Sequence, residues 1–268
     1  MNRNQNLLLT TFLACFFYSC SVEQSKQEQP VDESTQTVVT SEKGILAVEQ
    51  VSVSKKANCT SEPCTSVSIT YPRYEGYPRF NQIIVEQITS TLSEDYIMEA
   101  DGSESLDQLV DMFLQSYQEF IENFPESSTA WNLDIEAEQT YATLEVVSLA
   151  IKTSGYTGGA HSNSFVEYLT LSESSKKPLE LKDIVKNEKK LKQIAEQAFR
   201  SHYDIAEEQS FSDFGFTFQN NEFALPETIG LTQQGLVLYY NSYEIAAYAK
   251  GPTELVIPFD QIADILKI

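Results

Sequence analysis

"YTGGAHSNSF", residues 156–165, lies between two long β-rich runs, and its reading decides the fold. Before it stands "WNLDIEAEQTYATLEVVSLAIKTSG", in which Val147, Leu149 and Ile151 alternate with their neighbours. After it, Phe165, Glu167 and Leu169 alternate within "SFVEYLTL". Period-two alternation on both sides predicts two strands. A reversal must join them, and Gly155, Gly158 and Gly159 offer the positive-φ freedom it needs. The stretch also carries His161, one of two histidines in the chain, so a partner-binding tip and a catalytic tip stand beside the turn reading.

The catalytic reading has little to build with. A hydrolytic zinc site takes about three protein ligands, and the second histidine, His202, falls on the face of a later helix. Ser162 or Ser164 would supply a nucleophile, but no Gly-x-Ser-x-Gly elbow is present. Asp134 and Glu136 form a carboxylate pair of the kind glycoside hydrolysis uses. Among 39 acidic residues such a pair reads first as a solvated face. A structural turn is the default expectation, with no catalytic residue, metal or cofactor assigned.

Working outward, "GILAVEQVSVSKK" and "TSVSITYP" predict a strand pair around "CTSEPC". Two helices follow. Phe80, Ile83, Ile84, Ile88 and Leu92 recur at helical spacing; so do Leu106, Leu109, Val110, Phe113, Tyr117, Phe120, Ile121 and Phe124. Ser105 and Gln108 form a capping-box pattern before the second helix, and Pro125 ends it. These aromatic stripes read as core rather than as a ligand groove. A third helix from about Glu188 sets Leu191, Ile194, Ala195, Ala198, Phe199 and His202 on one face, making His202 a partly buried packing residue. The remainder, "GLTQQGLVLYYNSYEIAAYAKGPTELVIPF", alternates again, with a tight turn at Gln234-Gly235 and a short helix over 260–266. Helices inserted among hairpins, without regular βαβ alternation, give an α+β fold with mainly antiparallel sheets.

The N-terminus is of another kind. "MNRNQNLLLTTFLACFFYSC" has one positive charge, Arg3, and an apolar run from Leu7 to Tyr18 too short to span a bilayer. It reads as a signal peptide. Ser19-Cys20 resembles a bacterial lipoprotein processing site, with Phe17 where leucine is usual; an ordinary signal peptide is the alternative. Lipidation at Cys20 would leave an acylated (palmitate-type) lipoprotein in the cell envelope, and Ser21 favours the outer membrane, facing the periplasm or cell surface. Residues 21–43 are polar and read as a flexible tether. Cys59 and Cys64 then remain as an exported pair around a Glu-Pro turn, which reads as a local disulfide. Zinc is the alternative, without a second ligand pair. The net charge is −21, one unit more negative after Arg3 is removed. It disfavours nucleic acid and suits a cationic partner.

Three separated pieces, "YTGGAHSN", "LKDIV" and "GLVLYYNSYEIAAYAKGPTELVIPF", resemble the hallmarks of domain of unknown function 3298. That domain occurs in the extracellular part of RsiV-like anti-sigma factors and beside PdaC-like peptidoglycan deacetylases. An upstream companion, domain of unknown function 4163, is similar in size and pattern to the first half of this chain. Ser242 and Ala247 stand where family members often carry proline. The resemblance implies a sensing or binding region without the separate metal-dependent deacetylase domain. The expected division is 1–19 signal peptide, 20–43 lipidated tether, 44–150 PdaC-like (4163-type) part and 151–268 3298-type part. Implied partners are a lysozyme-like protein or a cell-wall saccharide, the latter as a peptidoglycan fragment. The residues nominated for a partner-binding or structural loop are Tyr156, Gly158, Gly159, His161, Tyr243, Glu244 and Tyr248. The competing function is an enzyme acting on peptidoglycan or a related polysaccharide through the His161 loop.

Overall fold

The computed structural model describes residues 46–58, 64–127, 129–175 and 177–268. The expected signal peptide and tether, with Cys20, lie outside them, as does Cys59. No helix among the described residues is long and apolar enough to cross a membrane.

Strands β1 (Val48–Lys56) and β2 (Ser66–Tyr74) pair antiparallel across the cysteine loop. The chain then forms α1 (Pro78–Asp95) and α2 (Leu106–Asn123) before β3 (Asn132–Ala142), β4 (Val146–Tyr156) and β5 (Asn163–Ser172). The five strands form one sheet in sequence order. Strand β3 lies parallel to β2, because the two intervening helices return the chain to the end from which β2 started. The other pairings are antiparallel, so the α+β expectation holds with this one parallel exception. Residue 150 falls within β4, and the sheet continues through β5.

Helix α1 begins on Pro78, which needs no amide partner in a first turn. Helix α2 starts with the expected capping box: Ser105 Oγ accepts from the Gln108 amide and Gln108 Oε1 accepts from the Ser105 amide. Their apolar faces cover one side of the sheet. Ile84, Ile88, Leu92, Val110 and Phe113 meet Leu133, Ile135, Leu149 and Ile151 in a single core. Each such aliphatic side chain contributes about 1.5–3 kcal/mol by burial. The stripe on α2 weakens toward its end: Tyr117 and Phe120 lie against Trp131, and Phe124 is 59% exposed.

The rest of the chain builds a second core. It comprises α3 (Leu181–Ile184), α4 (Glu188–His202), strands β6 (Thr228–Leu231), β7 (Gly235–Tyr240) and β8 (Thr253–Pro258), and α5 (Phe259–Ile262). Strands β6–β8 form an antiparallel meander. Phe199 of α4 is the hub, with Phe211, Phe216, Phe218, Phe223 and Tyr240 edge-on around it at 4.8–5.9 Å. His202 departs from expectation. Leu191, Ala195 and Phe199 are buried, but His202 occupies the last helical position, beyond the aromatic hub, and is exposed with its ring edge-on to Tyr203.

Two contacts dock β6 onto the side of the large sheet that the helices leave free. The Leu231 amide donates to Ser148 Oγ and Thr140 Oγ1 donates to the Leu231 carbonyl. Tyr168 packs against Gly230, where a Cβ would come within 2.1 Å of its ring. One end of that sheet face is therefore closed: Ser148, Ala150 and Thr170 are buried. The other end, around Lys152, remains open.

Candidate functional site: an open cleft with an aromatic rim

The open end of the sheet is the floor of a cleft of about 890 Å³. Alternation along β3 sends Leu133, Ile135 and Ala137 to the helices, so Asp134, Glu136 and Glu138 point the other way. Strand register extends this into polar rows. Ser68, Asp134, Ser154 and Ser164 lie side by side, as do Thr70, Glu136, Lys152 and Val166. Tyr239 of β7 and the β7–β8 connection, residues 241–252, form the opposing wall.

Charge on the floor is unevenly matched. Lys152 Nζ donates to Glu138 Oε2 at 2.6 Å. This bond, with Glu136 and Glu254 nearby, holds the ammonium above its ordinary pKa against partial desolvation. Burial raises the Tyr239 hydroxyl, reinforced by Glu254 and opposed by Lys152. Among the described residues, Asp134 accepts only from Asn132 Nδ2, and neither Asp134 nor Glu136 forms an ion pair.

The wall is held by Asn241. Its Oδ1 accepts from the Val166 amide at 2.8 Å and its Nδ2 donates to the Val166 carbonyl at 2.9 Å. A side-chain amide thus replaces a strand at the free edge of β5. Glu244 then pins the turn, accepting from the Asn241 amide at 2.8 Å and the Glu227 amide at 3.4 Å. Although Glu244 is exposed as a residue, desolvation raises its carboxyl pKa, and these two bonds oppose the rise. Tyr243 takes a positive φ of 71° at the crest. Ala247 has φ −62°, the value a proline would impose.

The β4–β5 reversal reaches this wall. Gly158 and Gly159 have φ of 100° and 110°, as expected of a turn, and Tyr156 Oη donates to the Gly159 carbonyl. Gly155 does not use positive φ. It stays in the β4 ladder and makes room for Tyr96, whose ring would lie 2.3 Å from a Cβ there. His161 Nδ1 lies 3.0 Å from the Ser162 carbonyl, and its ring stacks on Tyr248 at 4.5 Å and 15°. Tyr248 in turn lies 5.3 Å from Tyr243. The two tyrosines are 42% and 63% exposed. With His161 they form a ladder of three exposed rings, of which Tyr248 lines the cleft and the other two flank it.

The fold therefore gathers His161, Tyr243 and Tyr248, while Tyr156, Gly158, Gly159 and Glu244 shape the loops that carry them. Ser164 Oγ donates to Ser154 Oγ. Among the described residues, no group of three or more His, Cys, Asp or Glu is placed to hold a metal ion. Sequence reasoning passed over Lys152, Ser154, Thr70 and Asn241. The polar alternation of the strands carried a signal for the first three; Asn241 carried none beyond its place next to Tyr243.

Residues 181–260 match the family described as "Protein of unknown function (DUF3298)", and residues 58–164 match "Deacetylase PdaC". A DUF3298 family member from Bacteroides fragilis superposes with a TM-score of 0.61 at 20% identity, covering 84% of this chain and 95% of that one. A DUF3298 family protein from Pseudomonas aeruginosa gives 0.61 at 22%, covering 83% and 95%. At such identities the likeness establishes the fold. No curated protein matches.

Proposed function

From a chain that joins a PdaC-type part to a DUF3298-type part, we propose a non-catalytic binding protein of the cell envelope that takes a cell-wall saccharide in its cleft. The two families support cell-envelope association. The observation that carries the ligand class is the exposed His161–Tyr248–Tyr243 ladder beside a floor of hydroxyl, carboxylate and ammonium groups. Sugar rings present apolar C–H faces that pack on aromatic rings and hydroxyls that need polar partners, and the cleft offers both. Calorimetry with wall-derived glycan fragments tests this. The wild-type chain binds and Tyr248→Ala weakens binding about tenfold or more at unchanged folding; no binding by the wild type contradicts it.

One observation favours a second partner class. The net charge of −21 would speed encounter with a cationic, lysozyme-like protein, and such binding would weaken steeply with salt. The competing enzymatic reading is tested by assaying deacetylation and hydrolysis of the same fragments, with and without zinc. Turnover that His161→Ala abolishes would replace the binding proposal.

Attachment to the membrane through lipidated Cys20 completes the proposed picture, with residues 21–43 as spacer. Cys20→Ser is expected to abolish lipid labelling and leave unprocessed precursor; unchanged labelling would refute the anchor.

A further inference from the structure

We infer that the cleft selects saccharides bearing a free, cationic amine over their N-acetylated counterparts. This rests on the saccharide reading above and adds the chemistry of one substituent. Asp134 and Glu136 occupy successive outward positions of β3, about 7 Å apart along the strand, on the floor below the aromatic rim. The cations close by are committed elsewhere. Lys152 is bound to Glu138. Lys250, on the opposing wall, donates to the Phe214 carbonyl at 2.7 Å and sits 4.3 Å above the Phe216 ring. The floor therefore carries three carboxylates, Asp134, Glu136 and Glu138, against the one Lys152 ammonium that faces Glu136 across the strands, and its charge is net negative. A sugar ring stacked on Tyr248 with a substituent directed at the floor meets negative charge on one side and aromatic faces on the other. An ammonium group satisfies both, through ion pairing and cation–π attraction. An acetamide satisfies neither, and a carboxylate-bearing substituent is repelled.

The test is calorimetric titration of glucosamine tetramer and N-acetylglucosamine tetramer against three chains: wild type, Asp134→Asn/Glu136→Gln, and Glu207→Gln/Glu208→Gln. The last removes the same charge from exposed positions outside the cleft. Wild type is expected to prefer the amine tetramer by about tenfold or more, with each exposed carboxylate accounting for up to about fivefold. The preference collapses toward unity in the cleft variant and persists in the control. It also fades as pH rises through amine deprotonation, near 8 for an ordinary α-amine. Both tetramers binding wild type equally, or the preference surviving in the cleft variant, overturns the amine inference and leaves the saccharide reading standing. Equal loss in both variants assigns the effect to overall charge and likewise overturns it. Binding of neither tetramer to wild type overturns both.

Discussion

The His161 imidazole stacks on the Tyr248 ring at 4.5 Å and 15°, tying the β4–β5 turn to the β7–β8 connection. Residues 87 positions apart in the chain thus meet at one cleft rim. The contact is exposed, so His161→Ala is expected to lower stability by only about 0.5 kcal/mol. Gly159→Val, at φ 110°, forces a β-branched residue into a region it rarely occupies and costs about 1–3 kcal/mol. Paired denaturation curves check the order; a larger loss from His161→Ala would contradict the assignment of the stretch as a turn.

Asn241 carries the wall of the cleft. Asn241→Ala removes both bonds to Val166 and a longer one to Thr228. The expected loss is about 2–3 kcal/mol, at roughly 1 kcal/mol for each bond to Val166 and less for the longer one. Saccharide affinity should fall with it, because the wall is no longer fixed to β5. Equilibrium unfolding together with calorimetry tests both parts, and full affinity in a destabilised variant would separate the wall from the site.

Gly230 lets the small sheet approach the large one. An added Cβ would overlap Tyr168 at its Cβ, Cγ and Cδ1, between 2.1 and 2.6 Å. Because the overlap includes the root of the side chain, rotation alone gives little relief. Gly230→Ala is expected to destabilise by about 1–3 kcal/mol, and Gly230→Ala with Tyr168→Ala by less than the two changes summed. Simple additivity would argue against this contact.

Much of this architecture is legible in the sequence. The α1 and α2 stripes, the Ser105 capping box and the 156–165 reversal all follow from local periodicity and turn chemistry. The Phe199 hub does not. Phe211, Phe216, Phe218 and Phe223 lie in a segment without helical or strand period, so only the folded chain shows that they converge. His202 misled because a helical face continues on paper past the point where the core ends. The site was half legible. His161, Tyr243 and Tyr248 stand out as aromatic residues in turn-rich loops, but their contact depends on Asn241 docking one loop onto a distant strand edge. Asp134 and Glu136 were visible as a pair yet indistinct among many acids until the sheet placed them on an open floor.

Glu244 gives the fold a pH signature. Desolvation raises its folded pKa above the ordinary value of 4.5. Ionising it therefore costs the folded chain more than the unfolded one. Its stabilising contribution is fully present below the unfolded value and is lost as pH rises through the folded one. Carboxyl NMR titration should find Glu244 above 4.5 and Glu180, held by Lys182 and Lys177, below it. The reverse order would contradict the described turn.

The proposed Cys59–Cys64 bridge closes a short loop between β1 and β2, so its loss should cost about 2 kcal/mol and leave the fold intact. Non-reducing peptide mapping of envelope-purified protein should recover both cysteines in one linked peptide. Two free thiols would refute the bridge.

The proposed function stands or falls with the open cleft as the saccharide-binding site. Its sharpest test is an amide and side-chain NMR titration of residues 46–268 with wall-derived glycan fragments. Binding in the cleft gives saturable shifts confined to Lys152, Ser154, Ser164, Tyr239 and the Tyr243–Tyr248 loop, and these are lost in Tyr248→Ala. Saturable shifts that map elsewhere, or no shifts at millimolar fragment, would contradict it.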